Sequence, residues 1–170
     1  SVRVKHEAWY VLDCDRGGVI YHGLEPSVSK SAFLDAMKTG RVEGILRKVR
    51  VQPGDCYFLP TGTVHALGAG VLVAEVQTPS DITYRTYDWG RVDPKTGRPR
   101  ELHLEQAVKC IDFDRAAPVP MQERLHLGTI ATTATRLATC PSFVIDKVRV
   151  SGGAEQSVAV GGLIVLISLE

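Results

Sequence analysis

Lys5, Glu7, His65 and Arg85 are the residues whose types and spacing suit chemistry. A carboxylate and an imidazole make a mixed oxygen and nitrogen donor set of the kind that holds zinc, manganese or iron. A coordination position left open on such a metal makes the site catalytic rather than structural. Two donors are fewer than a metal takes from a closed protein site. Lys5 and Arg85 add fixed positive charge of the kind that binds a phosphate or stabilises an oxyanion. Each residue also has a plainer reading, since a lone histidine is commonly a hydrogen-bonded core residue and lysine and arginine are commonly solvated.

Local sequence says how these side chains would be positioned. Pro53-Gly54-Asp55 reads as a tight turn, and Cys56 to Leu59 as a short strand rich in aromatic residues. Pro60 and Gly62 break that strand, and the backbone freedom of Gly62 turns His65 back toward the interior of a sheet. Glu7 lies on an early strand, Val2 to Leu12, with Lys5 on the same face and His6 on the opposite one. Glu7 and His65 meet only if the sheet closes on itself, as a jelly roll does.

The rest of the chain reads as mainly β. Val19 to Tyr21 follows a turn at Asp13 to Gly18 and suggests a hairpin with the first strand. Ser29 to Gly40 switches to helical spacing, with Phe33, Leu34 and Met37 apolar and Gly40 at the C-terminal cap. Val42 to Leu46 reads as a helical turn or bend, and Val49 and Val51 as a strand. Gly70 to Gln77 is a nearly continuous apolar run, which suggests a strand buried on both faces. Ser80 to Trp89 alternates again, and Arg91 to Arg100 is a basic exposed loop by its turn residues. Glu101 to Ile111 has an amphipathic helical pattern. Residues 114–123, with Pro118 and Pro120, read as a linker. Leu125 to Leu137, Ser142 to Val150 and an apolar stretch from Gly162 read as strands of a second β-domain. The organisation expected is a domain over 1–113, the linker, and part of another domain over 124–170.

Composition excludes several classes. Twenty Lys and Arg against 19 Asp and Glu leave a formal charge of +1, so no global field favours nucleic acid or an anionic membrane. Cys14, Cys56, Cys110 and Cys140 are widely spaced without a C-x-x-C pair, which reads as reduced thiols in a cytoplasmic protein. No apolar run of membrane-spanning length or leader pattern is present. The chain starts Ser1-Val-Arg-Val and ends in an apolar stretch, so a fragment at both ends is expected.

The spacing G-x5-P-x-G-x2-H from Gly54 to His65 resembles the second signature motif of the cupin superfamily, with Ala69 where many cupins carry Asn. Lys5-His-Glu7-Ala-Trp9-Tyr10, Glu75-Val-Gln77, Thr83-Tyr84-Arg85-Thr-Tyr87-Asp88-Trp89 and Arg100-Glu101-Leu-His103 extend the likeness. In that order they resemble the type I mannose-6-phosphate isomerases over about residues 3 to 113. Cys140-Pro-Ser-Phe-Val-Ile-Asp-Lys-Val is similar to the start of that family's second, metal-free cupin domain.

The resemblance implies a cupin jelly-roll barrel with a short helical insert, followed by the start of a second cupin-like domain. It implies a zinc-dependent aldose–ketose isomerase that interconverts mannose 6-phosphate and fructose 6-phosphate through a cis-enediol(ate). Glu7 and His65 match two of the family's zinc ligands, Lys5 its active-site lysine and Arg85 its catalytic arginine. The family's Q-x-H motif, which supplies the other two ligands, is absent from this sequence, so the chain alone is expected to be inactive. The partner implied is a small sugar phosphate, with Lys95, Arg98 and Arg100 a candidate phosphate-binding group. A non-catalytic sugar-binding or regulatory cupin is the alternative. A cupin oxygenase would bring two histidines in its first motif, where this chain has Lys5-His6-Glu7. His22, His103 and His126 are expected to be structural or exposed.

Overall fold

The computed structural model describes residues 4–114, 123–125, 132–153, 155, 157 and 161–169. Among these, the strands form three antiparallel sheets of three. In the first, β1 (Glu7–Cys14) lies between β4 (Cys56–Leu59) and β6 (Val71–Gln77). In the second, β2 (Val19–Leu24) lies between β3 (Leu46–Arg50) and β5 (His65–Leu67). The third comprises β7 (Glu123–Leu125), β8 (Thr132–Thr139) and β9 (Val144–Val150).

Strand alternation decides what each face of the first sheet meets. Trp9 and Val11 of β1 join Tyr57 and Leu59 of β4, Ile20 of β2 and Val51 in one apolar interior between the first two sheets. Ala8 of β1, on the opposite face, packs with Cys56, Leu137 and Ala138 against the third sheet. There the Phe143 ring meets Phe58 edge-on, and Lys147 Nζ donates to Tyr10 Oη at 2.6 Å. Glu7 has the parity of Trp9, so the same alternation turns its carboxylate toward the interior.

The expected hairpin between the first two strands is not formed: β1 and β2 lie in different sheets. Both hydrogen-bonding edges of β1 are taken, one by β4 and one by β6, which leaves no edge for β2. The first strand also begins at Glu7, later than expected.

The outer face of the second sheet is covered by helices. In α1 (Lys30–Thr39), Ser29 caps the start by accepting from Ala32 N, and Gly40 closes the end in the left-handed conformation with φ 71°. Phe33 of α1 is fully buried among Tyr21, Leu24, Val42, Leu46 and Val108. Burial of such a ring is worth about 1.5–3 kcal/mol. A 3-10 turn over Val42–Ile45 leads into β3. The second helix, α2 (Leu104–Cys110), is shorter than its amphipathic pattern suggested. Residues 101–103 are drawn into an extended pairing instead, in which His103 N donates to Arg85 O at 2.7 Å.

Three further expectations are corrected. β6 is not buried on both faces: Val71 and Val73 pack against the apolar interior, while Leu72 on the other face is 59% exposed. Residues 80–89 alternate in sequence but form no strand; their polar groups are taken by residues 99–103, including an Arg100–Asp88 ion pair bonded through two guanidinium nitrogens. Leu163–Leu169 is exposed and outside any strand. The linker residues 115–122, His126 and the start of the expected strand at Val2 lie outside the described residues.

Candidate metal centre

The turn after β4 explains its glycine. Pro60 O accepts from Thr63 N at 3.1 Å, and Gly62 between them has φ +88°. A Cβ at Gly62 would lie 2.6 Å from Cys110 O, because the exit of α2 presses on this turn and Asp112 N donates to Gly62 O. Glycine satisfies both the positive φ and the close approach. The chain then enters β5 at His65.

His65 Nδ1 lies 2.8 Å from Thr63 O. A carbonyl oxygen only accepts, so Nδ1 carries the proton and, in the neutral ring, Nε2 presents a bare lone pair. That atom faces Glu7 Oε2 at 3.3 Å. Glu7 is buried, and its other oxygen, Oε1, lies 3.0 Å from Lys5 Nζ, which also donates to Thr83 Oγ1 at 3.4 Å. An imidazole lone pair pointing at a carboxylate is repulsive unless a proton or a cation lies between them. This donor pair therefore fits a metal ion such as zinc. Trp9 stands edge-on to the His65 ring at 5.1 Å and is itself held by a 2.7 Å hydrogen bond from Nε1 to Glu75 Oε2.

Arg85 is not brought into this cluster. Its guanidinium donates to Glu101 O at 3.4 Å, and its backbone N–H donates to His103 Nδ1 at 3.2 Å. Arg85 follows Thr83, the residue that touches Lys5, so the segment carrying it borders the site. Arg100 is committed to Asp88, whose carboxyl it holds below the usual range through their hydrogen bonds. Arg100 of the candidate phosphate-binding group is thus paired within the chain, while Lys95 and Arg98 are exposed. Among the described residues, no group of three or more His, Cys, Asp or Glu is placed to hold a metal.

The crystal structure of the mannose 6-phosphate isomerase from Bacillus subtilis superposes with a TM-score of 0.79 at 34% identity, covering 87% of this chain and 46% of that one. Mannose-6-phosphate isomerase ManA of Bacillus subtilis is 36% identical over 151 residues, which are 88% of this chain and 46% of the relative. Over most of its length the chain is similar to mannose-6-phosphate isomerases. The mannose-6-phosphate isomerase of Streptococcus mutans is likewise 36% identical, over 89% of this chain and 46% of its own length. The chain thus spans about half the length of the curated relatives it matches. No protein-family model matches it.

The isomerase-family likeness extends to the fold, which is mainly β with a short helical insert and cupin-like. Of the four residues singled out from the sequence, Lys5, Glu7 and His65 lie in contact with one another and Arg85 lies apart from them. Reading the sequence missed Thr63, whose carbonyl orients the imidazole, and Thr83, which touches Lys5. Only the place of Thr63 between Gly62 and His65 hinted at its part. His22 was expected to be structural or exposed and is 3% exposed on the inner side of β2, paired in register with His65. Desolvation lowers its pKa from the ordinary value, against the hydrogen bond to Phe58 O that favours the charged ring.

Proposed function

We propose that this chain carries part of the active site of a zinc-dependent aldose–ketose isomerase that interconverts mannose 6-phosphate and fructose 6-phosphate. The observation that carries the reading is the facing of His65 Nε2 and Glu7 Oε2 at 3.3 Å, with Lys5 on the second carboxylate oxygen. Glu7 and His65 would hold the metal, which when bound supplies Lewis-acid polarisation of sugar oxygens.

The chain's own residues account for the rest of the chemistry. Isomerisation removes a proton from the carbon beside a carbonyl and develops negative charge on two neighbouring oxygens, giving a cis-enediol(ate). Such charge is best met by donors fixed before the reaction. Lys5 is fixed by Glu7 and Thr83 and supplies a cation at the site for substrate binding or proton relay. Arg85 would stabilise the enediolate from the bordering segment. Its guanidinium is held by Glu101 O and its backbone by His103. Trp9 and Leu59 wall the site from the apolar interior. A cytoplasmic location belongs to the same reading, as sugar phosphates are intracellular metabolites; among the described residues no helix is long and apolar enough to cross a membrane.

A non-catalytic sugar-binding cupin is the second reading, favoured by the two-donor set among the described residues. Zinc content and mannose 6-phosphate turnover, measured on the purified chain and on a form extended toward the length of its relatives, separate the two. Zinc with turnover in the extended form is expected. A folded, zinc-loaded extended form that binds the sugar phosphate without converting it would establish the second reading instead.

A further inference from the structure

Alternate residues of β6 face the apolar interior between the first two sheets, and the series breaks its own pattern. Val71 and Val73 pack there, and Glu75 follows on the same face. A carboxylate in line with two valines needs a reason. The register supplies one: Glu75 is the direct cross-strand partner of Trp9 on β1, and its Oε2 accepts from Trp9 Nε1 at 2.7 Å. Trp9 is 4% exposed among apolar neighbours, where an indole N–H, which can only donate, requires an acceptor. A charged acceptor makes this bond stronger than one between neutral groups.

The indole held in this way stands against the candidate metal ligand. The Trp9 and His65 ring centroids are 5.1 Å apart, with the planes at 84°. Little else clamps His65. It opens a strand of three residues, and its side chain is 27% exposed. The bond from Nδ1 to Thr63 O holds one nitrogen at 2.8 Å but lets the ring swing about that point. A neighbouring indole blocks the swing only while the indole itself cannot turn, and the bond to Glu75 stops that turn. Glu75 does not thereby become a third donor: among the described residues no group of three or more His, Cys, Asp or Glu is placed to hold a metal.

We propose that Glu75 is a positioning residue for His65, acting through Trp9. Glu75 fixes the indole, the indole and Thr63 O fix the imidazole, and Nε2 is kept aimed at Glu7 Oε2. Groups outside a donor set commonly orient its ligands in this way. The inference rests on the metal-centre reading above and adds to it the side chains that orient one of its two donors.

The test uses the metal-free full chain at about pH 8, where an ordinary histidine is neutral. The His65 tautomer is read from its 15N shifts and two-bond couplings. Glu75→Val removes the acceptor with a residue that suits a strand, and Glu75→Gln keeps an acceptor oxygen without the charge. In the wild type His65 should hold one tautomer, with the proton on Nδ1. Glu75→Val should give the averaged nitrogen shifts of a ring exchanging between both tautomers, and Glu75→Gln should retain the single form. In an extended form that loads zinc, affinity should fall about 10–100-fold with Glu75→Val and be largely kept with Glu75→Gln. Glu75 is itself exposed, so Glu75→Val should fold; should it not, Glu75→Ala takes its place. A folded Glu75→Val chain that keeps the single tautomer would overturn the proposal, whatever loss urea denaturation shows, and leave Glu75 only a partner for the core indole. An averaged ring in the wild type would overturn it as well. Because the tautomer is read without metal, either failure is distinct from failure of the isomerase reading, which shows as an extended form without zinc or turnover.

Discussion

Glu7 Oε2 and His65 Nε2 face each other at 3.3 Å from strands of two different sheets, with no proton that the His65 tautomer can place between them when the ring is neutral. The hydrogen bond from Nδ1 to Thr63 O is what aims the lone pair. The relationship suits a candidate metal centre, and it implies measurable behaviour.

Glu7→Gln keeps the size of the side chain and removes the charge. Zinc affinity in a form that binds the metal should fall by more than the roughly 10–100-fold that follows loss of a mere supporting contact. His65→Gln should do the same. Metal content after dialysis against a graded chelator reads this directly, and retention of wild-type zinc by both variants would exclude the pair as ligands.

Gly62→Ala should destabilise the fold. The substitution forces a side chain into φ +88° and brings its Cβ within 2.6 Å of Cys110 O. A cost of about 1–3 kcal/mol is expected from the backbone conformation alone. Urea denaturation measures it, and a change below about 0.5 kcal/mol would show that the turn relaxes freely.

His22 sets an acid limit on stability. Its folded pKa is lowered by burial, against the hydrogen bond to Phe58 O and with the nearby Arg47 charge acting in the same sense as burial. Between that lowered value and the unfolded value near 6.5, the unfolded chain binds more protons, so stability rises with pH. The contribution is complete above about pH 6.5 and is lost progressively as pH falls toward the folded pKa. The wild-type melting temperature should therefore drop below pH 6.5 more steeply than that of His22→Gln. Parallel curves would contradict the burial of a neutral ring.

Cys56 should be chemically silent in the folded chain. It is fully buried under the third sheet, and burial pushes its thiol up to about 11. Thiolate is the reactive form, so iodoacetamide should label exposed Cys110 first and Cys56 only on unfolding. Peptide mass mapping would show it. Early labelling of Cys56 would mean that the third sheet does not seal this face.

Much of the site was legible because it is written in local rules. The period of two placed Lys5 and Glu7 on one face and His6 on the other, and His6 does lie against Phe58 while Lys5 and Glu7 pair. Pro60 and Gly62 announced the break that delivers His65, and Ser29 and Gly40 marked both ends of α1. Residues 80–89 were less legible. Their alternation is a strand's, but whether a strand forms depends on a free edge, and Asp88 and Arg85 are bonded to residues 99–103 instead.

The sequence by itself determined the β-rich class, the helical insert, the family likeness and the candidate donors, since periodicity, caps and motif spacing are properties of neighbouring residues. Tertiary structure decided which donors meet, that β1 and β2 part into separate sheets, and that His22 stands across from His65 on the neighbouring strand. The reason is physical. Hydrogen-bonding edges and interior faces are shared between distant segments, and their allocation is an outcome of the whole sheet arrangement rather than of any one stretch.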